Sequence, residues 1–349
     1  MQKGRTEDTQ LNYTIYYRLL EALSGRGDAD ALHVATIVVL AGSYGLRVAV
    51  TWFIMSLAGL GVGLRVVGTL ATSIAAPLTR DPLGYMHVGK LSPVIWHNST
   101  TILAAPFALL LFASTCWVIL RKDFTWAPQV VQLALVVVSG WTKPNYLLTL
   151  IPALVVVCVV DVATTATGLR LQSAKSLWWR AAPSGAAASV VLVSQFLLTY
   201  GGEGIQVNGQ SVGNVVAPFA VWSEWKTQAG VQPLISVYLS LAPSFIASIL
   251  IWRNSSLRLP LGLAWTSVIV GLVEFTILAE VLDDGTVLPH GNWVWGGQLS
   301  MAVLFVVSVT AALRDFRTLG RIKWFFVAVL TYQVAMGITW MVMLLSGRA

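Results

Sequence analysis

Charged side chains are scarce in this sequence, and their scarcity excludes an ordinary soluble domain. Asp, Glu, Lys and Arg make up 11% of the 349 residues, whereas soluble domains average about 25%. Hydrophobic residues make up 56%, and the mean hydropathy is +0.74. Apolar runs of roughly 18 or more residues recur, and each is a candidate spanning helix. The sequence therefore predicts an all-α integral membrane protein, since a membrane β-barrel would show short alternating segments instead.

Cysteine is also scarce. The two cysteines, Cys116 and Cys158, lie inside apolar runs, where a thiol usually serves as a small hydrophobic group. They exclude a disulfide framework and form no metal-binding motif. The polar N-terminal segment, residues 1–30, lacks the apolar core of a cleavable signal peptide. The net charge of +7 reflects basic loops that follow the positive-inside rule, so we expect membrane lipids and no nucleic acid as partners.

We predict about ten transmembrane helices in a single domain that covers residues 1–349. The predicted spans are 30–47, 60–79, 100–120, 125–140, 146–163, 183–200, 233–252, 259–281, 295–313 and 324–345. With these spans the basic loops share one side, which we assign as cytoplasmic. The outer loops are then 80–99, 201–232 and 282–294. We expect residues 48–59 to be re-entrant or interfacial. The first span enters from outside, so we also expect a leading helix upstream of this sequence.

Three polar clusters collect on the predicted outer side. The first is Trp96-His97-Asn98-Ser99-Thr100, directly before a span. One interpretation is an interfacial tryptophan followed by helix-capping side chains. The other is that His97, Asn98 and Thr100 bind a ligand at a helix N-terminus, where backbone N–H groups and the helix dipole favour an anion.

The second cluster is Lys143-Pro144-Asn145 at the start of another span. Pro144 suits the first turn of a helix, but a lysine there opposes both the helix dipole and the positive-inside trend. We therefore interpret Lys143 as a phosphate-binding residue, with Asn145 beside it.

The third cluster runs from Ala279 to Gln298. It is either an acidic outer turn with interfacial tryptophans, or a loop that brings polar groups towards the same site. The candidate binding residues are His290, Asn292 and Trp295. The candidate acids are Glu280, Asp283 and Asp284, and the pair Asp283-Asp284 could hold Mg²⁺ or Mn²⁺ because these ions prefer oxygen ligands. Within the spans, Glu274 is the carboxylate that either carries protons or bonds a neighbouring helix.

The strings WHNST, KPNYLLTLIPAL and HGNWVWG, in this order, resemble a group of multi-spanning bacterial membrane proteins. That group shows Trp-His-Asn-Pro-Thr, Lys-Pro-Ser-Phe and His-Gly-Asn-Phe-x-Trp-Gly, and its layout is similar to GT-C glycosyltransferases and surface-polysaccharide assembly proteins. Ser99 replaces the proline of the first pattern, Asn145-Tyr146 replace Ser-Phe in the second, and Trp293 replaces the phenylalanine of the third. The resemblance covers roughly residues 10–345.

The resemblance implies a GT-C-like bundle in the inner (plasma) membrane. The implied enzyme would move a sugar from a polyprenyl-phosphate donor to an acceptor at the outer face, with or without Mg²⁺ or Mn²⁺. Lys143 and the helix start near His97 would hold the phosphate. His290 and Asn292 would orient sugar hydroxyls, and a carboxylate would act as the base; the candidates are Asp81, Glu280, Asp283 and Asp284. GT-C enzymes carry an acidic residue in the first outer loop after a leading helix, and we expect that helix to lie upstream of this sequence. The alternatives are a transporter or flippase for an anionic or lipid-linked substrate, and a non-catalytic accessory protein.

Overall fold

The computed structural model is predominantly helical. It describes residues 14–25, 28–80, 86–88, 92–94, 98–120, 125–164, 170–200, 206–207, 210–251, 257–288 and 293–346. The helices in these ranges are α1 (Thr14–Ser24), α2 (Ala29–Leu57), α3 (Val62–Ile74), α4 (Ser99–Leu120), α5 (Trp126–Thr142), α6 (Asn145–Thr164), α7 (Arg170–Tyr200), α8 (Ala220–Ala229), α9 (Gln232–Ile251), α10 (Arg258–Ile277), α11 (Val294–Arg314) and α12 (Lys323–Leu345).

Five short strands accompany the helices in the described ranges. They are β1 (Leu78–Arg80), β2 (Met86–Val88), β3 (Gln206–Val207), β4 (Gln210–Val216) and β5 (Leu278–Leu282). β1 pairs antiparallel with β2, with Thr79 opposite His87. The other three form a sheet in the order β3-β4-β5. The all-α prediction therefore describes most of the fold but misses these strands, which lie between helices in the chain.

Within the described residues, eight helices are long and apolar enough to cross a membrane: α2, α4, α6, the Trp178–Leu198 part of α7, α9, α10, α11 and α12. This supports a multi-pass membrane protein. Each of the ten predicted spans coincides with a helix, but α3 and α5 are shorter than the others, at 13 and 17 residues. Ten membrane crossings therefore stay a prediction.

Two predicted boundaries are wrong. Residues 48–57 are not a separate re-entrant piece but the last part of α2, because no proline or glycine lies between Gly45 and Gly59, whose φ is +79°. The span predicted at 60–79 is also too long. α3 ends at Ile74 and covers only about 20 Å at 1.5 Å per residue. Pro77 follows, and a proline disfavours helical backbone in the residue before it.

The polar segment predicted for residues 1–30 contains a helix in its described part. Tyr16 and Leu20 lie one turn apart on α1, so they share a face of the helix. Both are buried in an apolar cluster with Ala35, Val39 and Leu103. The regular spacing of these two apolar residues explains why α1 packs on the protein despite its polar flanks.

The chain forms two compact units. Unit 1 contains Met1–Arg47, Trp96–Val215 and Glu280–Thr286. In it α5 packs between α4 and α7. The approach of α5 to α7 is close at Gly140, where an added Cβ would overlap Cγ1 of Val191. In the first half of α5, Gln132 Nε2 donates to Thr115 Oγ1 at 3.0 Å.

Unit 2 contains Val48–Ile95, Val216–Ala279 and Val287–Ala349. Its centre is α11, whose apolar window is completely buried. The main helical neighbours of α11 in unit 2 are α3, α9 and α10. Small residues let α10 and α11 approach: Gly297 faces the backbone of Gly271, and the hydroxyls of Ser267 and Ser300 are 2.9 Å apart. The single-domain organisation expected from the sequence stays a prediction.

Candidate functional site

Lys143 sits at the junction between α5 and α6 because of the proline that follows it. A residue before proline avoids helical backbone, and Lys143 is extended, with φ −165° and ψ 107°. Its N–H still donates to the Ser139 carbonyl at 2.8 Å. Pro144 then opens the first turn of α6 and its carbonyl accepts from the N–H of Leu147 at 2.9 Å. The sequence Lys-Pro thus ends one helix and starts the next, with the lysine between them.

The Lys143 side chain is buried, with only 1% of the residue exposed. Its Nζ donates to Thr100 Oγ1 at 3.0 Å and to Asn98 Oδ1 at 3.3 Å. These contacts join the α5–α6 junction to the N-terminus of α4, both within unit 1. The structure therefore brings together two of the three clusters that the sequence singled out.

Asn98 caps α4. Its Oδ1 accepts from the Thr101 N–H at 3.0 Å, from Thr101 Oγ1 at 2.8 Å and from Thr100 Oγ1 at 2.9 Å. An asparagine side chain that binds the N–H three residues later satisfies one of the unpaired donors of the first turn. The capping interpretation of Asn98 is thus confirmed, and the same oxygen also reaches Lys143.

The electrostatics of this junction favour a negative charge. The N-terminal end of α4 carries the positive end of a helix dipole, and Nζ of Lys143 lies at this end. The backbone of Lys143 directly precedes α6. Burial lowers the pKa of Lys143 well below its ordinary value of 10.5, because an ammonium loses its hydration in the protein interior. A bound anion would reverse this effect by stabilising the ammonium form.

Tyr146 is a polar residue of this region that the sequence analysis did not single out. It lies in the first turn of α6 next to Asn145, which is also buried. Tyr146 is fully buried and its hydroxyl has no hydrogen-bond partner in the described part of the chain. The sequence did contain a signal for Tyr146, since the pattern Lys-Pro-Ser-Phe has a phenylalanine at this position. Tyrosine in place of phenylalanine adds a buried hydroxyl to unit 1.

The acidic turn after β5 has a structural role. Asp283 and Asp284 are both exposed. Asp283 Oδ2 accepts from the Ser211 N–H at 2.9 Å, which ties the turn to β4. Asp284 accepts from the Thr286 N–H at 2.8 Å and from Gln210 Nε2 at 3.1 Å. These bonds, above all those from Thr286, lower the pKa of Asp284.

The donor set of this turn does not fit Mg²⁺ or Mn²⁺. A divalent cation needs several oxygen ligands directed at one point. Here Asp283 and Asp284 instead accept hydrogen bonds from the N–H groups of Ser211, Thr286 and Gln210. Within the described ranges no group of three or more His, Cys, Asp and Glu residues could hold a metal ion.

The remaining predicted site residues belong to other elements or lie outside the described residues. Glu280 is buried in β5. Trp295 is half-buried in the first turn of α11, and Glu274 is half-buried in α10; both belong to unit 2. Four predicted site residues fall outside the described ranges: Asp81, His97, His290 and Asn292.

Fold and site together support a class, a multi-pass helical membrane protein with a buried lysine between two helix N-termini. Comparison of the chain with protein-family models, with curated proteins and with solved structures gives no match.

Proposed function

We propose that the protein is a GT-C-like glycosyltransferase of cell-envelope glycan assembly, which uses a polyprenyl-phosphate-linked sugar at the outer face of the plasma membrane. The observation that carries the proposal is the position of the Lys143 amino group, which is buried and lies at the N-terminus of α4. Lysine is a common ligand of phosphate, and helix N-termini bind phosphate through the same electrostatics.

In this proposal Lys143 stabilises the leaving group. The oxygen of an acceptor hydroxyl attacks the anomeric carbon of the donor sugar. The bond from that carbon to the phosphate oxygen breaks, and the lipid phosphate leaves with the electron pair. A cation placed where this charge develops lowers the barrier. The acceptor proton passes to a carboxylate, for which the sequence offers Asp81, Glu280, Asp283 and Asp284.

Asn98 and Thr100 position the lysine in this reaction. Their side-chain oxygens are neutral and lie 3.3 and 3.0 Å from Nζ. They hold the amino group in one place and carry no negative charge that would compete with a phosphate for Nζ. Because a buried charge is costly unless it is paired, we expect the lysine to take up a proton when the phosphate binds.

Direct binding and turnover test this role. The full chain in detergent is titrated with polyprenyl phosphate, and membranes are assayed for transfer of radiolabelled sugar from polyprenyl-phosphate donors. Lys143→Met should weaken phosphate binding about tenfold or more, since charged hydrogen bonds contribute about 1.5–3 kcal/mol, and should abolish transfer. The control is Lys323→Met, which removes a lysine of unit 2 from the first turn of α12. Unchanged phosphate affinity in Lys143→Met would contradict the proposed role.

One observation favours a transporter as the second candidate. Glu274 is an ionisable residue inside α10, a candidate spanning helix, and carboxylates at such positions often carry protons. Counterflow of a lipid-linked or anionic substrate in proteoliposomes, abolished by Glu274→Gln and retained in Lys143→Met, would support transport over glycosyl transfer.

A further inference from the structure

Unit 2 contains an open apolar groove beside α8, which we name the α8 groove. It consists of two adjoining concavities of about 450 and 610 Å³ that share Phe219 and Thr276. The first runs along α10 past Ile269 and Val273. The second lies between α8 and the start of α9. Volumes of this size are typical of sites for small organic molecules.

The groove has a firm wall because α8 is anchored to the end of α10. Trp225 is buried, and its ring centroid lies 4.8 Å from that of Phe275. Trp222 donates through Nε1 to Thr276 Oγ1 at 3.0 Å. The Phe219 N–H donates to the Thr276 carbonyl at 2.7 Å. Aromatic contacts and backbone bonds together fix the orientation of α8 on α10.

Phe219 divides the groove and holds an unfavourable backbone conformation. Its φ of +62° lies in the left-handed region, which costs a residue other than glycine about 1 kcal/mol or more. The residue is 62% exposed, although a phenylalanine side chain is stabilised by burial. The surrounding hydrogen bonds thus hold an apolar ring in an open position, between the two concavities.

The groove lies at the edge of the predicted bilayer. α9 begins at Gln232 and α10 ends at Ile277, and both are candidate spans. The groove therefore runs from the apolar flank of α10 to the ends of these two helices. Two apolar residues of its second concavity, Val231 and Leu234, are 59% and 49% exposed. Apolar walls at this depth suit a hydrocarbon chain better than a water-soluble ligand.

A positive charge stands at one end of the groove. Lys226 lines the second concavity and is exposed. It lies four residues after Trp222, so the two side chains share one face of α8. The acidic residue Glu224 lies two positions before Lys226 and does not share that face. The combination of a hydrocarbon slot and a lysine matches an amphiphile with an anionic headgroup.

We propose that the α8 groove binds an anionic phospholipid of the surrounding bilayer, with one acyl chain along Phe219, Val231 and Leu234 and the headgroup phosphate at Lys226. The occupant is a lipid because the groove opens at the end of spanning helices. It is anionic because the charged group lining the groove is a lysine. This site is independent of the proposed reaction at Lys143, since the two sites belong to different units.

Photolabelling of the full chain tests the proposal. The protein is placed in phosphatidylcholine nanodiscs with a trace of phosphatidylglycerol that carries a diazirine in one acyl chain, and labelled peptides are mapped by mass spectrometry. We expect label between Phe219 and Leu234 that unlabelled phosphatidylglycerol displaces more effectively than phosphatidylcholine. Lys226→Gln should reduce this label about fivefold, the contribution of one lysine near an anionic lipid surface.

Two further variants make the result specific. Leu234→Trp fills the slot and should also reduce the label, whereas Lys323→Gln removes the same charge elsewhere and should leave it unchanged. Equal displacement by phosphatidylcholine, or wild-type labelling of Lys226→Gln, would overturn the proposal. Lys143→Met should label like the wild type, so failure of the phosphate site and failure of the groove are distinguishable.

Discussion

The hydrogen bonds at Asn98 lead to a quantitative prediction for the variant Asn98→Ala. Four donors share Oδ1 of this residue: the Thr101 N–H, the hydroxyls of Thr100 and Thr101, and Nζ of Lys143. Loss of an N-cap costs about 1 kcal/mol, and loss of the acceptor for a buried amino group adds about 1–3 kcal/mol. We therefore expect Asn98→Ala to lower the free energy of unfolding by about 2–4 kcal/mol.

The matched variant is Asn98→Asp, which separates the cap from the anion site. Aspartate caps a helix as well as asparagine does, so stability should stay within about 1 kcal/mol of the wild type. Its carboxylate would pair with the ammonium of Lys143, raise the pKa of the lysine and repel a phosphate. Asn98→Asp should therefore fold normally and lose affinity for polyprenyl phosphate.

The free energy of unfolding is measured by equilibrium unfolding in mixed micelles of dodecyl maltoside and dodecyl sulfate, followed by far-ultraviolet circular dichroism. Titration with polyprenyl phosphate measures the affinity for the anion. A loss below about 0.5 kcal/mol in Asn98→Ala, the lower limit for an N-cap, would refute the cap. Tight phosphate binding by Asn98→Asp would refute the anion site.

Three other predictions concern unit 1. Gly140→Ala should destabilise the protein by about 1–3 kcal/mol because its Cβ overlaps Val191, and a second change, Val191→Ala, should restore part of the loss in the same unfolding assay. Arg180→Gln should cost about 1.5–3 kcal/mol, since Arg180 Nη1 donates to the Ile119 carbonyl at the end of α4 at 2.6 Å; an unchanged unfolding midpoint would show that this bond contributes nothing. The lowered pKa of Lys143 should make stability rise with pH. Between the lowered pKa and 10.5 the unfolded chain holds a proton on Lys143 that the folded chain lacks, so the free energy of unfolding rises with pH in this range. This stabilisation is lost as the pH falls through the lowered pKa. Lys143→Met should remove this part of the pH dependence of the free energy of unfolding.

Hydropathy predicted the long helices well, because a run of some 20 apolar residues has few alternatives to a helix. The span expected at 100–120 is Ser99–Leu120, and that at 295–313 is Val294–Arg314. Some helix ends were misplaced because apolar sequence continues past the helix. After Ile277 the chain stays apolar but forms β5, and composition alone does not distinguish a short buried strand from the end of a helix.

The candidate site was predicted in part. The unusual place of Lys143 and the capping residues before α4 were visible in the sequence, and the structure joins them. Their contact was not derivable from the sequence, since residues 98 and 143 are brought together only by the packing of α4, α5 and α6. The hydrogen bonds of Asp283 and Asp284 also could not be predicted from the sequence, because their partners Ser211 and Gln210 lie some 70 residues earlier in the chain.

The complete enclosure of α11 has a consequence for how the protein is made. The helices of unit 2 that chiefly surround it, α3, α9 and α10, all precede it in the chain, and chains emerge from the N-terminus. α11 can therefore leave the insertion machinery directly into a prepared slot between protein surfaces. Its polar side chains, such as Gln298 and Ser300, then exchange water for protein partners and need never face lipid.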